Sequence, residues 1–398
     1  MQTSMFCIYP RPPTGDFGAV VAAFEAGLPS FLNHFFPFAG RIVTNQSSDP
    51  LASLNFSTMT ASVRRVQQPY SEDMALSVEL VSFACGGFAV AWCTNHVVVD
   101  GSALSMLVSA WSELSRSGTL GAGSRPNHDR SVFRPRATPS YGDSFSKAFT
   151  PLDAERQVNV LTAEQSFVER LYYIEASDIA GLREAASRDD GERATRFQAV
   201  TAYLWKALAG VVGAADARCR MQWWIDGRRR LKNRPELHAA MRNYIGNVTT
   251  SIIREASVDE VQRMELPDLA AMVGEAIAAP AYDECFQELV DWVEEHKADR
   301  YVETANLGLG SPTVSVTAFT SFSVDTDFGF GHAAMAMPTT TTTARLCSGY
   351  VQITARPGGD GSWIASAFLW PRLAAALESD KPCVFKPVTA EYLGLLAP

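Results

Sequence analysis

Hydrophobic positions along this 398-residue chain alternate between a two-residue period and a period of three to four. Residues 76–84 and 88–94 are β-rich runs split by Cys85-Gly86-Gly87, which predicts an antiparallel hairpin. Immediately downstream, Leu104, Leu107, Val108, Trp111 and Leu114 recur at helical spacing, and Ser102 is placed to cap the first turn. An earlier helix is predicted over 17–36, where Val20, Phe24, Leu28 and Leu32 step by four; it survives Pro29 and is closed by Pro37.

Periodicity then fades. From 115 to about 165 the chain is punctuated by glycine and proline, which reads as a crossing between domains. Structure resumes with a strand over 170–175 and a helix over 178–187 capped by Ser177. Thr195 and Gln198 have capping-box spacing and open a helix striped by Phe197, Val200, Leu204 and Leu208. Acidic-faced helices are predicted over 267–278 and 283–297. Strand-rich sequence covers 314–325, 346–355 and 362–369, the last two joined by a glycine-rich hairpin turn at 357–361. The threonine tract 339–343 reads as a strand or loop edge. Helices and hairpins in irregular alternation predict mixed sheets, an α/β (mixed α+β) fold, and not a doubly wound parallel one.

Length adds that one core is too few, so two domains are expected. A net charge of −9 argues against a nucleic-acid partner. The seven cysteines are scattered without zinc-site spacing, so no metal site is expected and a reducing compartment is. The N-terminus lacks a charged n-region and h-region, and no eighteen-residue window is uninterruptedly apolar, so a cytoplasmic chain with no membrane segment is the expectation.

The candidate chemistry lies in His96-Val97-Val98-Val99-Asp100-Gly101, between the hairpin and its helix. A strand end can aim an imidazole into a cleft as a general base. A hydrogen-bonded strand-end histidine with a turn aspartate would look the same, so the pattern alone leaves both readings open. Residues 329–334 fit G-x-G-x-x-A, but Pro338 comes too early for the long helix a dinucleotide site needs, and no acidic residue lies about twenty positions on. No G-x-S-x-G, P-loop or H-E-x-x-H is present. The basic run 228–234 reads either as a solvated loop or as an arginine contact to an anionic ligand or buried carboxylate.

With Asp327-Phe328-Gly329-Phe330-Gly331 set beside His96–Gly101, the chain resembles the BAHD acyltransferases, plant enzymes marked by HxxxDG and DFGWG. Phe36-Pro37-Phe38-Ala39-Gly40-Arg41-Ile42, Asp129-Arg130-Ser131 with Arg136, Ala202-Tyr203-Leu204-Trp205, Asp226-Gly227-Arg228, Tyr244-Ile245-Gly246-Asn247 and Val316-Thr317-Ala318-Phe319 are similar to further family blocks and fall in the family's order. Three departures stand out. The chain starts at what resembles the second strand region, so a few dozen N-terminal residues of the family pattern are expected to be missing. Phe330 replaces the motif tryptophan. The segment from Phe319 to Asp327 is one residue short and lacks its proline.

The resemblance implies two chloramphenicol-acetyltransferase-like domains, each a mixed sheet with flanking helices. They would span 1–150 and 166–398, joined by a crossover loop at 151–165, with a channel between them. It implies acyl-CoA as co-substrate with no permanently bound cofactor, and a small alcohol as acceptor in plant specialised metabolism. The acyl group would be of hydroxycinnamoyl or another aromatic or aliphatic type, and the protein a monomer. An amine or polyamine acceptor is the alternative, as is a truncated, catalytically weak homologue that only binds ligand. His96 would be the base and Thr317 the oxyanion donor. Asp100, Gly101, Arg228, Asp327, Gly329 and Gly331 would shape the site, with Asp100 paired to Arg228.

Overall fold

A computed structural model describes residues 2–40, 53–56, 74–151, 167–188, 191, 193–212, 216–232, 235–299, 301–304, 311–322, 324–339, 349–381 and 383–394. The first half contains β1 (Gln2–Tyr9), α1 (Phe17–His34), β2 (Ser53–Phe56), β3 (Leu76–Ser82), β4 (Phe88–Asn95), α2 (Gly101–Ser117), α3 (Asp143–Ala148) and β5 (Phe149–Pro151). The second begins with β6 (Val168–Ile174), α4 (Ala176–Ala185), α5 (Arg196–Val211), β7 (Arg218–Asp226), α6 (Pro235–Met241) and β8 (Thr249–Ser257). It continues through α7 (Val258–Arg263), α8 (Leu266–Ala278), α9 (Tyr282–His296), β9 (Tyr301–Glu303) and β10 (Thr313–Phe319). It ends with β11 (Met335–Thr339), β12 (Gly349–Ala355), β13 (Trp363–Leu369), α10 (Pro371–Ser379) and β14 (Lys386–Pro387).

Among the described residues the strands form three sheets, in the orders β11-β1-β4-β3-β2, β14-β6-β13-β12-β10-β7-β8 and β5-β9. Both large sheets mix parallel and antiparallel pairs, as the irregular alternation of elements predicts. The β3–β4 hairpin turns at Gly86, whose φ of +84° suits a residue without Cβ. β4 is buried along its whole length: Phe88, Val90 and Trp92 share a core with α1 and α2, and on the other face Ala89 packs in a cluster with Met335 of β11 and Ile364 of β13, so the strand shows no alternation.

The helices differ from expectation in detail. α2 is capped by Asp100, whose Oδ1 accepts from the Ala103 amide at 2.8 Å, and not by Ser102. α4 starts two residues early behind Glu175, with no side-chain cap, so Ser177 lies inside it. α1 stops at His34 and passes into a short 3-10 turn, Phe36–Ala39. Its buried side is Val20, Phe24 and Phe31, while Leu28 and Leu32 are only partly covered. A step of four drifts off a face that repeats every 3.6 residues, and Gly27 completes that face against Trp111. The Thr195–Gln198 capping box forms in both directions.

Two expectations about the long axis change. The crossing is not featureless: α2 runs to Ser117, closed by Gly118 at φ +71°, and α3 and β5 follow, with β5 pairing to β9. The expected crossover loop lies almost wholly outside the described residues, as do residues 340–343 of the threonine tract and Arg41 and Ile42. Strand sequence predicted to continue to 325 ends at Phe319 in a turn, with the Phe322 amide bonding the Phe319 carbonyl at 3.0 Å. The chain then leaves the second half altogether. β11 pairs antiparallel with β1, so residues 324–339 belong to the first sheet and its core, an excursion that a division at 150/166 does not contain.

Alternation along the second sheet sorts its two faces. Met221, Trp223, Ile225, Val314, Val316, Val351 and Ile353 belong to the core cluster that also holds Val200, Leu204, Trp205 and Leu208 of α5. The opposite face carries Gln222, Trp224, Ser315, Thr317 and Gln352, polar side chains of which Gln222, Ser315 and Gln352 are buried. This polar face looks toward the first sheet: Thr354 Oγ1, on the same side, bonds the Ala336 carbonyl of β11 at 3.4 Å.

Candidate active site between the two sheets

His96 sits in a tight turn at the end of β4, partly exposed. Asn95 builds the turn, its carbonyl accepting from the Val98 amide at 2.9 Å and its Oδ1 from the Val97 amide at 3.0 Å. From the second half, Asn247 Nδ2 donates to the His96 carbonyl. The imidazole itself makes no hydrogen bond to a described residue. Its backbone is held and its side chain is left open, with Val97 the most exposed large apolar side chain beside it.

Asp100 faces the other way and is fully buried. Its Oδ2 accepts from Arg228 Nη1 at 2.8 Å and from the Val248 amide at 2.8 Å, while Oδ1 caps α2. Arg228 spends its remaining donors on the carbonyls of Tyr244 and Gly246 and on Asp226. Burial works against the arginine's charge, yet Asp100 and Asp226 together hold its pKa above the ordinary value. One aspartate thus ties α2 of the first half to β8 and the 227–229 turn of the second. Within the basic run, Arg228 takes the ion pair. Arg229 bonds the Ser321 carbonyl at 3.0 Å with its guanidinium over Phe322, and Arg230 lies over Tyr282.

Gly101 is required by contact. A Cβ there would lie 2.2 Å from Cε1 of Phe319, at the end of β10. That contact brings the end of β10, two residues beyond Thr317, against the start of α2. Thr317 is partly exposed, in register with Gln352 of β12.

Asp327 organises a loop and lies away from the histidine turn. Its Oδ1 accepts from the Gly329 and Gly331 amides at 2.8 and 3.0 Å, and both glycines have φ +97°. Ser112 of α2 clasps its backbone in both directions. Phe328 inserts among Tyr9, Phe24 and Trp92, and Phe330 meets Phe88 edge-on. The glycine amides are therefore committed to Asp327, and β11 follows where a dinucleotide fold needs a helix.

Beside the Asp100–Arg228 pair lies a cavity of about 440 Å³ between α2 and the 226–245 segment. Ser102, Ser105 and Ser109 line one wall; Arg229, Arg242 and His238 line the other. His96 is not among the lining residues. Sequence reading missed the grip of Asn247 on His96 and of the Val248 amide on Asp100. The signal was present in the Tyr244–Asn247 block, but only the fold shows which strand end it meets.

A model of the Transferase family matches residues 48–381. The chain belongs to this family, the BAHD acyltransferases. Putrescine hydroxycinnamoyltransferase 3 of Oryza sativa subsp. japonica is 25% identical over 308 residues, covering 70% of this chain and 67% of the relative. Omega-hydroxypalmitate O-feruloyl transferase of Arabidopsis thaliana is 25% identical over 230 residues, covering 56% of the chain and 48% of the relative. The match thus spans between about half and two thirds of these relatives' lengths. F. graminearum TRI101 complexed with ethyl coenzyme A superposes with a TM-score of 0.78 at 14% identity, covering 97% of this family member and 95% of TRI101. The shared architecture is the chloramphenicol-acetyltransferase-like fold. Among the described residues no helix is long and apolar enough to cross a membrane.

Proposed function

We propose that this chain transfers an acyl group from an acyl-CoA thioester to a small nucleophile, with His96 as general base. The observation that carries the reading is the histidine turn itself, its backbone anchored from both halves and its imidazole making no hydrogen bond to a described residue. Histidine is the side chain most often used to take and return a proton in such a step.

Neutral His96 takes the proton of the acceptor alcohol or amine as oxygen or nitrogen attacks the thioester carbonyl. Thr317 donates to the oxyanion. The carbon–sulfur bond then breaks, and the imidazolium returns the proton to the departing thiolate. Asp100 and Arg228 hold the turn in place without touching the reacting atoms, and Asp327 fixes the loop between β10 and β11. The cavity lined by Arg229, Arg242 and His238 suits the anionic part of acyl-CoA, which would give the basic run its role. The two named plant relatives carry an amine and an ω-hydroxy acid in their acceptor names, which supports the class of reaction and leaves the acceptor to be identified.

Purified protein assayed with a panel of acyl-CoA donors against phenolic alcohols, aliphatic alcohols and polyamines tests this. Without an activated nucleophile of its own, the chain should give intersecting initial-rate lines for a ternary complex. Parallel lines, or an acylated protein formed without acceptor, would refute the mechanism. No turnover across the panel would leave ligand binding as the function.

A further inference from the structure

The polar face of the second sheet carries a group that proton transfer by His96 does not use. Glu303 ends β9, and its side chain reaches back over β7 and β8. Ser251 Oγ donates to its Oε2 at 2.9 Å and Gln222 Nε2 donates at 3.2 Å. Crowding by protein raises the pKa of this carboxyl to about 7, against the two hydrogen bonds that lower it. No cation among the described residues is recorded against it. Glu303 as a residue is partly exposed, whereas Gln222 beside it is fully buried.

Gln222 supplies an independent observation. It is fully buried, and its Oε1 has no hydrogen-bond partner among the described residues. Because the amide oxygen and nitrogen share one carbon, this orphan acceptor lies beside the Glu303 carboxylate. Two acceptors, one of them ionisable, meet where the described residues offer only neutral donors. A compact cation with several N–H bonds satisfies both, which describes an alkylammonium.

The place along the sheet matters. Gln222 is in register with Ser315, two residues before Thr317 on the same face, and Ser251 is one strand further out, opposite Trp224. Strand spacing and rise then put Glu303's partners about 10 Å from Thr317. That is the reach of an extended aliphatic chain.

We propose that Glu303, Gln222 and Ser251 form a subsite for an ammonium group of the acceptor, which is an aliphatic diamine or polyamine. The far amine docks there while the near amine, uncharged, attacks the thioester. An amide bond forms, the carbon–sulfur bond breaks, and the amine proton passes through His96 to the coenzyme A thiolate. The inference rests on the acyl-transfer reading for its chemistry, but not for binding.

The full chain is assayed with α,ω-diamines from 1,4-diaminobutane to 1,8-diaminooctane and with the matching neutral diols. The wild type should prefer diamines, and Glu303→Gln should lower the diamine-to-diol ratio of kcat/KM by about tenfold or more, the loss expected of a charged hydrogen bond. Diamines alone should also stabilise the wild type and His96→Ala saturably against heat, and Glu303→Gln much less. Gln222→Met, which removes the orphan acceptor, should weaken that stabilisation as well and serves if Glu303→Gln does not fold. Turnover of diols without a diamine preference, or stabilisation equal in every variant, overturns the subsite and leaves acyl transfer standing. Saturable diamine binding without acyl transfer to any acceptor leaves the subsite standing and removes the proposed reaction.

Discussion

The Asp100–Arg228 pair admits a quantitative test. Asp100 is fully buried and Arg228 is 5% exposed, so removing either partner leaves a charge that water cannot reach. Such a loss costs about 3–5 kcal/mol. For Asp100→Ala the lower end applies to the ion pair, because Asp226 remains 3.1 Å from Arg228 Nη1. The α2 cap is lost too, adding about 1 kcal/mol. For Arg228→Ala the carboxylate keeps the Ala103 and Val248 amides, which again limits the cost. The double variant strands neither charge and should lose about 3 kcal/mol less than the sum of the singles. Urea unfolding followed by tryptophan fluorescence, for all four proteins, measures this coupling. A coupling below about 0.5 kcal/mol would refute the reasoning, because independent sites add to within that margin. Asp100→Asn separates architecture from a proton relay: a relay predicts a steep fall in turnover with stability unchanged, whereas a clamp predicts that both fall together.

His96→Ala should cut turnover by roughly two to four decades, the usual share of a general base; its melting temperature should stay put, since the imidazole makes no hydrogen bond to a described residue. Gly101→Ala forces a Cβ against Phe319 and should cost about 1–3 kcal/mol, read by thermal unfolding, with Phe319→Leu in the same chain restoring part of it. The Glu303 carboxyl has its pKa raised in the folded state from 4.5 to about 7, so the fold binds the extra proton and loses stability as pH rises from about 4.5 to 7. Glu303→Gln should therefore be more stable than wild type at pH 8 by about 2 kcal/mol after allowing for partial exposure, and no more stable below pH 4. Equal stability of the two proteins at every pH would count against the raised pKa. NAD and NADP at millimolar concentration should give no thermal shift, because the glycine amides at 329 and 331 are already taken by Asp327.

Local signals proved legible where one rule dominated. The β3–β4 hairpin, the Thr195 capping box and the 357–361 turn each rest on residues a few positions apart, and each forms as the pattern demands. Caps were less readable: Ser102 and Asp100 both precede the α2 stripe, and only burial against Arg228 decides for the aspartate. β7 and β8 escaped because their apolar side alternates with Gln222, Trp224 and Ser251, residues that look like surface, although Gln222 and Ser251 lie under Glu303 of β9. The same blindness hid Glu303, one acidic residue among many until Gln222 and Ser251 are seen beneath it. β11 could not be placed from its neighbours, since its partner strand lies more than three hundred residues upstream.

That partnership has a consequence for how the chain is made. Synthesis runs from the N-terminus, so β1, β3 and β4 emerge early, yet the outer edge of β1 has no partner until residue 339 has left the ribosome. For most of translation this edge, with Met5, Cys7 and Tyr9 behind it, is an open template for pairing with other nascent chains. Phe328 and Phe330, which close the aromatic layer of the same half, arrive equally late. The first half is therefore an incomplete folding unit, and its successful maturation depends on holding an exposed strand until the last quarter of the polypeptide returns to cover it.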